Sequence, residues 1–245
     1  MNEIIRINNI TKYYKDFVAV NSVNIAINHG EIYGLIGKNG AGKTSILKMI
    51  LGILNPSSGN IEIANPALDK TEKLQFGSVI EAPNLYNELS ALTNLRLVSK
   101  LIPNFKDNVF EILDIVGLDK DNRKPVKTYS LGMRQRLGLA IALLGSPDIL
   151  ILDEPMNGLD PVGMCEFRNL LIKLNKEKNV TMIISSHLLN ELFKFSNTYG
   201  VIRNGCLAKE ITHNELLEMF SSDVERENYL IKLMEEGICN EINEI

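Results

Sequence analysis

Gly37-Lys38-Asn39-Gly40-Ala41-Gly42-Lys43-Thr44 decides the fold. The stretch reads G-x-x-x-x-G-K-T, the pattern of a loop that cradles phosphate. Its flanks matter as much as its letters. Glu31-Ile32-Tyr33-Gly34-Leu35-Ile36 before it is an apolar run of strand length, while Ile46, Leu47, Ile50 and Leu51 after it recur at helical spacing. The loop therefore joins a strand to a helix. Its glycines let the backbone close around an anion without Cβ clashes. The loop N–H groups and the positive end of the helix face that anion. Lys43 adds a full charge for the β- and γ-phosphates, the Thr44 hydroxyl suits Mg²⁺, and Ser45 is counted with them among the nucleotide-binding residues. The plain alternative, a glycine-rich turn, does not require both flanks.

The chain has 245 residues, 45% hydrophobic and 23% charged, with a net charge of −4. That is an ordinary globular composition and gives no sign of a general nucleic-acid binder. Cys165, Cys206 and Cys239 are widely spaced without a C-x-x-C pair, which argues against a zinc site or a disulfide framework. Met1-Asn2-Glu3-Ile4-Ile5-Arg6 lacks a signal-peptide pattern. No apolar run approaches the ~18 residues of a spanning helix. A cytoplasmic chain is expected, with any membrane span supplied by another subunit.

Residues 4–8 and 23–28 read as strands separated by Thr11-Lys12-Tyr13-Tyr14-Lys15-Asp16, and Ile61-Glu62-Ile63 as a third, which predicts a small antiparallel sheet. Residues 77–81 read as a core strand ending at Glu81. A helical sub-domain over about 88–144 is expected, with helices near 93–102, 107–116 and 131–144. Ile149-Leu150-Ile151-Leu152 is the continuous apolar run of a parallel strand covered on both faces. Pro161 opens a helix whose stripe is Phe167, Leu170, Leu171 and Leu174. A strand over 180–184, a hairpin about Asn204-Gly205, and a helix capped by Thr212 and Glu215 follow. Residues 221–245 read as a partly helical, solvated extension with no special role, and His29 and His213 as surface residues.

Asp153-Glu154 stands at the C-terminal end of the buried strand, where open α/β sheets place ligand chemistry. Asp153 suits a Mg²⁺ ion, held through water, and Glu154 suits polarisation of the attacking water. A solvated acidic turn would look the same in isolation, but not when paired with the loop at 37–44.

The whole order resembles the nucleotide-binding subunit of an ATP-binding cassette (ABC) transporter, over roughly residues 4–220. The resemblance implies an α/β fold with a P-loop NTPase core, a mostly parallel sheet, a small antiparallel β sub-domain and a helical sub-domain. Residues 1–220 would form the ATPase domain and 221–245 the extension. Tyr14 matches the A-loop aromatic that stacks on adenine, with Tyr13 as its neighbouring competitor. Tyr129-Ser130-Leu131-Gly132-Met133-Arg134-Gln135-Arg136 stands where the family has Leu-Ser-Gly-Gly-Gln: Ser130 and Gly132 match, Leu131 and Met133 do not. In the family this helix start contacts the γ-phosphate held by the opposite subunit. Asn157-Gly158-Leu159-Asp160 matches the D-loop, which passes signals between paired subunits, and His187, after Ser185-Ser186, matches the H-loop histidine.

Glu81 departs from the family's usual Gln in the Q-loop, which touches Mg²⁺ and the membrane partner. Gln75 is the competing position, but the strand-to-loop register of Gly77-Ser78-Val79-Ile80-Glu81-Ala82-Pro83 favours Glu81. A carboxylate there attracts Mg²⁺ and repels the γ-phosphate. Each effect reaches ~4 kcal/mol at ~4 Å with an effective dielectric near ~20, so the sequence leaves their net sign open. Glu81 together with Tyr-Ser-Leu-Gly-Met resembles the branch that exports bacitracin- and lantibiotic-type antimicrobial peptides for self-protection.

The resemblance thus implies an ATPase that couples hydrolysis to transport. Its cofactors would be ATP and Mg²⁺. Its partners would be a membrane-spanning permease and a second nucleotide-binding subunit, identical or not, with no nucleic acid. Its place would be peripheral, on the inner face of the cell membrane. Two other classes compete. Soluble ABC-type ATPases of ribosomes usually carry two cassettes, and those of DNA insert a long coiled coil for which residues 45–129 offer no heptads. An unrelated kinase or GTPase would not need Asp153-Glu154, the Ser130 helix and His187 together.

Overall fold

The computed structural model describes residues 3–64, 74–103 and 105–235. In chain order the elements are β1 (Glu3–Tyr14), β2 (Phe17–Asn28), β3 (Ile32–Ile36), α1 (Lys43–Ile50), β4 (Ser58–Ile63) and β5 (Phe76–Val79). Then come α2 (Ala91–Ser99), α3 (Val109–Val116), α4 (Leu131–Ala142), β6 (Ile149–Asp153), α5 (Pro161–Lys178) and β7 (Thr181–Ser186). The chain continues through α6 (Leu189–Leu192), β8 (Thr198–Arg203), β9 (Cys206–Thr212), α7 (His213–Met219) and α8 (Asp223–Glu235). Two compact units share these elements: Met1–Asp69 with Ile183–Ile245, and Lys70–Met182. Strand β7, buried at every position, carries the boundary.

In the first unit β1 lies between β2 and β4 in an antiparallel sheet. Ile5, Ile7, Ile10, Val23, Ile25 and Ile27 are buried along it. The strands run well past the predicted 4–8 and 23–28. Tyr14 pairs with Phe17, so only Lys15 and Asp16 form the turn, and Thr11 to Tyr14 belong to β1. The cause is a series of register shifts between Ile7 and Tyr13, with Asn9 and Ser22 both left-handed at φ 48°. Bulges break the two-residue alternation by which a strand is recognised.

In the same unit β3 pairs parallel with β8, and β8 antiparallel with β9. The β8–β9 turn is Asn204-Gly205, with φ of 48° and 81°, the positive pair that a tight hairpin requires. Thr212 and Glu215 form the expected capping box on α7. Helix α8 is not a solvated extension. Leu230 and Met234 are buried, Arg226 donates two bonds to the Phe220 carbonyl, and Arg203 Nη1 donates to the Leu233 carbonyl at 3.1 Å. Its apolar positions recur at i and i+4, a weak stripe in an acidic segment, which is why composition alone suggested solvation. The rest of that stretch, Cys239 included, lies outside the described residues. His213 is likewise no plain surface residue: its Nδ1 lies 2.9 Å from the Tyr199 hydroxyl, and its ring is tilted against Phe193.

In the second unit β5 and β6 pair in parallel, and Ile149 to Leu152 are fully buried. The three expected helices appear as α2, α3 and α4. Ser90, Asn108 and Ser130 cap them, each accepting a bond from a first-turn N–H. Arg136 of α4 holds its neighbours, donating to the Val116 carbonyl at the end of α3 and to Glu166 of α5 at 2.7 Å. Asp160 caps α5, and Pro161 is its first residue.

Candidate functional site

The strand β3 ends at Ile36 and the helix α1 begins at Lys43, so residues 37–42 form the loop between them. Gly42 stands at φ 108°, and a Cβ there would lie 2.6 Å from the Ala19 carbonyl oxygen. A Cβ at Gly37 would strike the Ile202 carbonyl. Both glycines are thus demanded by backbone packing. Hydrogen bonds hold the loop's shape: Ala41 N–H to the Lys38 carbonyl at 3.1 Å, Gly205 N–H to the Ala41 carbonyl at 2.9 Å, and Gly37 N–H to the Ser186 carbonyl. Lys43 is only 6% exposed. Its ammonium donates to the Gly37 and Lys38 carbonyls at 2.7 and 3.2 Å. Thr44 and Ser45 follow it in the first turn of α1, half-buried. Lys38, Asn39 and Gly40 are exposed, and Lys38 makes an ion pair of 3.1 Å with Glu235 of α8.

Tyr13 and Tyr14 occupy the β1–β2 hairpin tip, 51% and 47% exposed. The Lys12 ammonium lies 5.6 Å from the centre of the Tyr14 ring, within cation–π range. Exposure alone does not choose between the two tyrosines. His187 follows β7, half-buried, one residue past the Ser186 carbonyl that meets Gly37. The loop, Tyr14 and His187 all belong to the first unit.

Asp153, Glu154, Glu81, Ser130 and Gly132 belong to the second unit. Asp153 ends β6 and is 3% exposed. Glu154 turns out of the strand at φ 50°, and its carbonyl accepts from Asn157 N–H at 3.0 Å. Glu81 lies two residues beyond β5, exposed, at φ 63°. The segment after it is pinned to α4, because a Cβ at Gly138 would come 2.7 Å from Pro83. The Ser130 hydroxyl accepts from Met133 N–H at 3.3 Å, opening α4. The start of α4 and the segment 158–163 together line a cavity of about 500 Å³.

Several supports of the site were not legible in the sequence. The backing of the loop by Ala19, Ile202 and Gly205 arises between segments far apart in the chain, as does the Lys38–Glu235 pair. The Asn204-Gly205 turn was the one local signal available.

A phosphate loop between strand and helix, with an Asp-Glu pair ending a buried parallel strand, defines a P-loop ATPase. Residues 20–157 match the family model described as ABC transporter. The chain belongs to the ABC transporter family, as one of its ATPase subunits. The bacitracin transport ATP-binding protein BcrA of Bacillus licheniformis is 43% identical over 96% of this chain and 80% of its own length. The lantibiotic transport ATP-binding protein SrtF of Streptococcus pyogenes is 40% identical over 90% of this chain and 97% of its own. Among solved structures, a dimeric bacterial ABC transporter cassette is 27% identical with a TM-score of 0.75, covering 85% of this chain and 98% of that one. Its post-hydrolysis dimer, bound to ADP and phosphate, is similar to the same degree, with a TM-score of 0.74 and 26% identity over the same shares of the two chains. Among the described residues no helix is long and apolar enough to cross a membrane.

Proposed function

We propose that this chain drives export of an antimicrobial peptide of the bacitracin or lantibiotic class, for self-protection. It would hydrolyse ATP as half of a nucleotide-binding dimer, held at the inner face of the membrane by a separate permease. The observation that carries this reading is the likeness to bacitracin and lantibiotic transport proteins at 43% and 40% identity over nearly the whole chain. Residues 1–220 would be the ATPase domain, with α8 of the extension docked on it.

In this reading ATP lies on Gly37 to Ser45, and its phosphates take over the Lys43 ammonium from the Gly37 and Lys38 carbonyls. Tyr14 stacks on adenine. Thr44 and Asp153 would hold Mg²⁺, with Glu81 beside it. A hydroxyl and a buried carboxylate are hard oxygen donors that suit this ion. When bound, the ion neutralises charge on the phosphates. Glu154 accepts a proton from the attacking water, and His187 orients that water against the γ-phosphate. Ser130 and Gly132, at the start of α4, offer a helix N-terminus to the nucleotide of the second subunit. Closing and opening of the dimer would be passed near Glu81 to the permease.

Deleting the gene from its source organism tests the cargo. Sensitivity to bacitracin or to a lantibiotic should rise, and should be restored by the wild-type chain but not by Glu154→Gln. Unchanged sensitivity to both classes would overturn the export reading. For the dimer, purified Glu154→Gln should elute at twice the monomer mass with ATP and Mg²⁺. A persistent monomer that still binds ATP would count against it.

A further inference from the structure

Leu131 is the first residue of α4, directly after the Ser130 cap. Nothing in helix formation requires leucine there, since the cap already fixes the start of the helix. The side chain is 45% exposed, yet it does not stand free. Its Cδ2 lies 3.0 Å from where a Cβ on Gly158 would sit, so the leucine rests on the bare backbone of that glycine. The contact is reciprocated. Leu159 Cδ2 lies 3.8 Å from where a Cβ on Gly132 would sit. Two leucines, one from each segment, are each seated on the other segment's glycine. Around them the residues of both segments line the same cavity of about 500 Å³.

Each segment is firmly anchored on its far side. Asp160 caps α5, and Arg136 bonds Glu166 of that same helix. What remains to be set is the position of the short stretch Asn157-Gly158-Leu159 relative to Ser130 and Gly132. The leucine–glycine exchange sets it by packing: a Cβ on Gly158 would crowd Leu131 at 3.0 Å, whereas one on Gly132 would meet Leu159 at an ordinary contact distance of 3.8 Å.

We infer that Leu131 is a positioning residue, which with Leu159 latches the start of α4 to the 157–160 segment so that both meet the second subunit's nucleotide as one rigid piece. This rests on the dimeric ATPase reading above. It assigns a role to the leucine itself, through its packing on Gly158.

Two measurements test it. Hydrogen exchange on the full chain reads the contact: Leu131→Gly should speed exchange across 156–163, while Leu131→Met should leave it near wild type. ATP-driven dimerisation in the Glu154→Gln background reads the use. Adding Leu131→Gly should raise the ATP concentration for half-dimerisation about fivefold, the scale expected from losing one apolar contact. Affinity of the monomer for a fluorescent ATP analogue should not change, and Leu131→Met should restore the dimerisation curve. An unchanged exchange pattern overturns the latch. Faster exchange with an unchanged dimerisation curve overturns its positioning role, as does an equal loss of affinity in the monomer. Failure of the Glu154→Gln parent to dimerise would instead overturn the dimeric reading, and this inference with it.

Discussion

Glu81 and Glu154 leave two adjacent parallel strands at matching positions, and both do so with a left-handed backbone. Val79 pairs with Leu152, and each glutamate lies two residues further on, at φ 63° and 50°. A long side chain in this conformation costs on the order of 1–2 kcal/mol. Both carboxylates are therefore held by their surroundings where unconstrained chain would not place them.

Glu81→Gly should relieve that strain, raising stability by up to about 1 kcal/mol in a denaturant titration. Glu81→Gln keeps the size and the strain but removes the charge. It should leave stability unchanged and make ATP hydrolysis less sensitive to Mg²⁺ concentration. Identical Mg²⁺ profiles for the two proteins would show that the carboxylate does not face the ion.

Lys43→Ala removes the ammonium that bridges the Gly37 and Lys38 carbonyls. Binding of a fluorescent ATP analogue should weaken at least about tenfold, corresponding to ~1.4 kcal/mol. An affinity equal to wild type would place the triphosphate elsewhere.

The two exposed tyrosines are separated by single substitutions. Tyr14→Ala should cost about 1–3 kcal/mol in ATP affinity, the range of one base–aromatic stack. Tyr13→Ala should cost little. Titration with the same analogue checks both, and the reverse pattern would make Tyr13 the stacking residue.

Alkaline stability should follow two buried tyrosines. Burial pushes the Tyr33 phenol well up, helped by the neighbouring Glu210 carboxylate, and burial alone raises Tyr199. The fold thus favours both neutral phenols. In the unfolded chain they ionise near pH ~10. Their contribution is complete below that pH and is lost as pH rises beyond it. The melting temperature should fall more steeply above about pH 10 in the wild type than in Tyr33→Phe/Tyr199→Phe. Parallel curves would contradict this.

The phosphate loop, Asp153-Glu154 and the capping pair Thr212 and Glu215 were legible because each is a local pattern with a local physical cause. The full length of β1 and β2 was not, since bulges near Asn9 and Ser22 erase the alternation. The left-handed turns at Glu81 and Glu154 left no trace in composition, because glutamate is a poor marker for that conformation. The leucine–glycine exchange was invisible for another reason: Leu131 stood out only as a mismatch, and its partner is 27 residues away at Gly158.

The family match ends at residue 157, yet the wall behind the phosphate loop is built later in the chain. The Ile202 carbonyl closes on Gly37, Gly205 N–H grips the Ala41 carbonyl, and Glu235 holds Lys38. A clone trimmed to the matched stretch would carry every letter of the motif and lack the mould that gives the motif its shape.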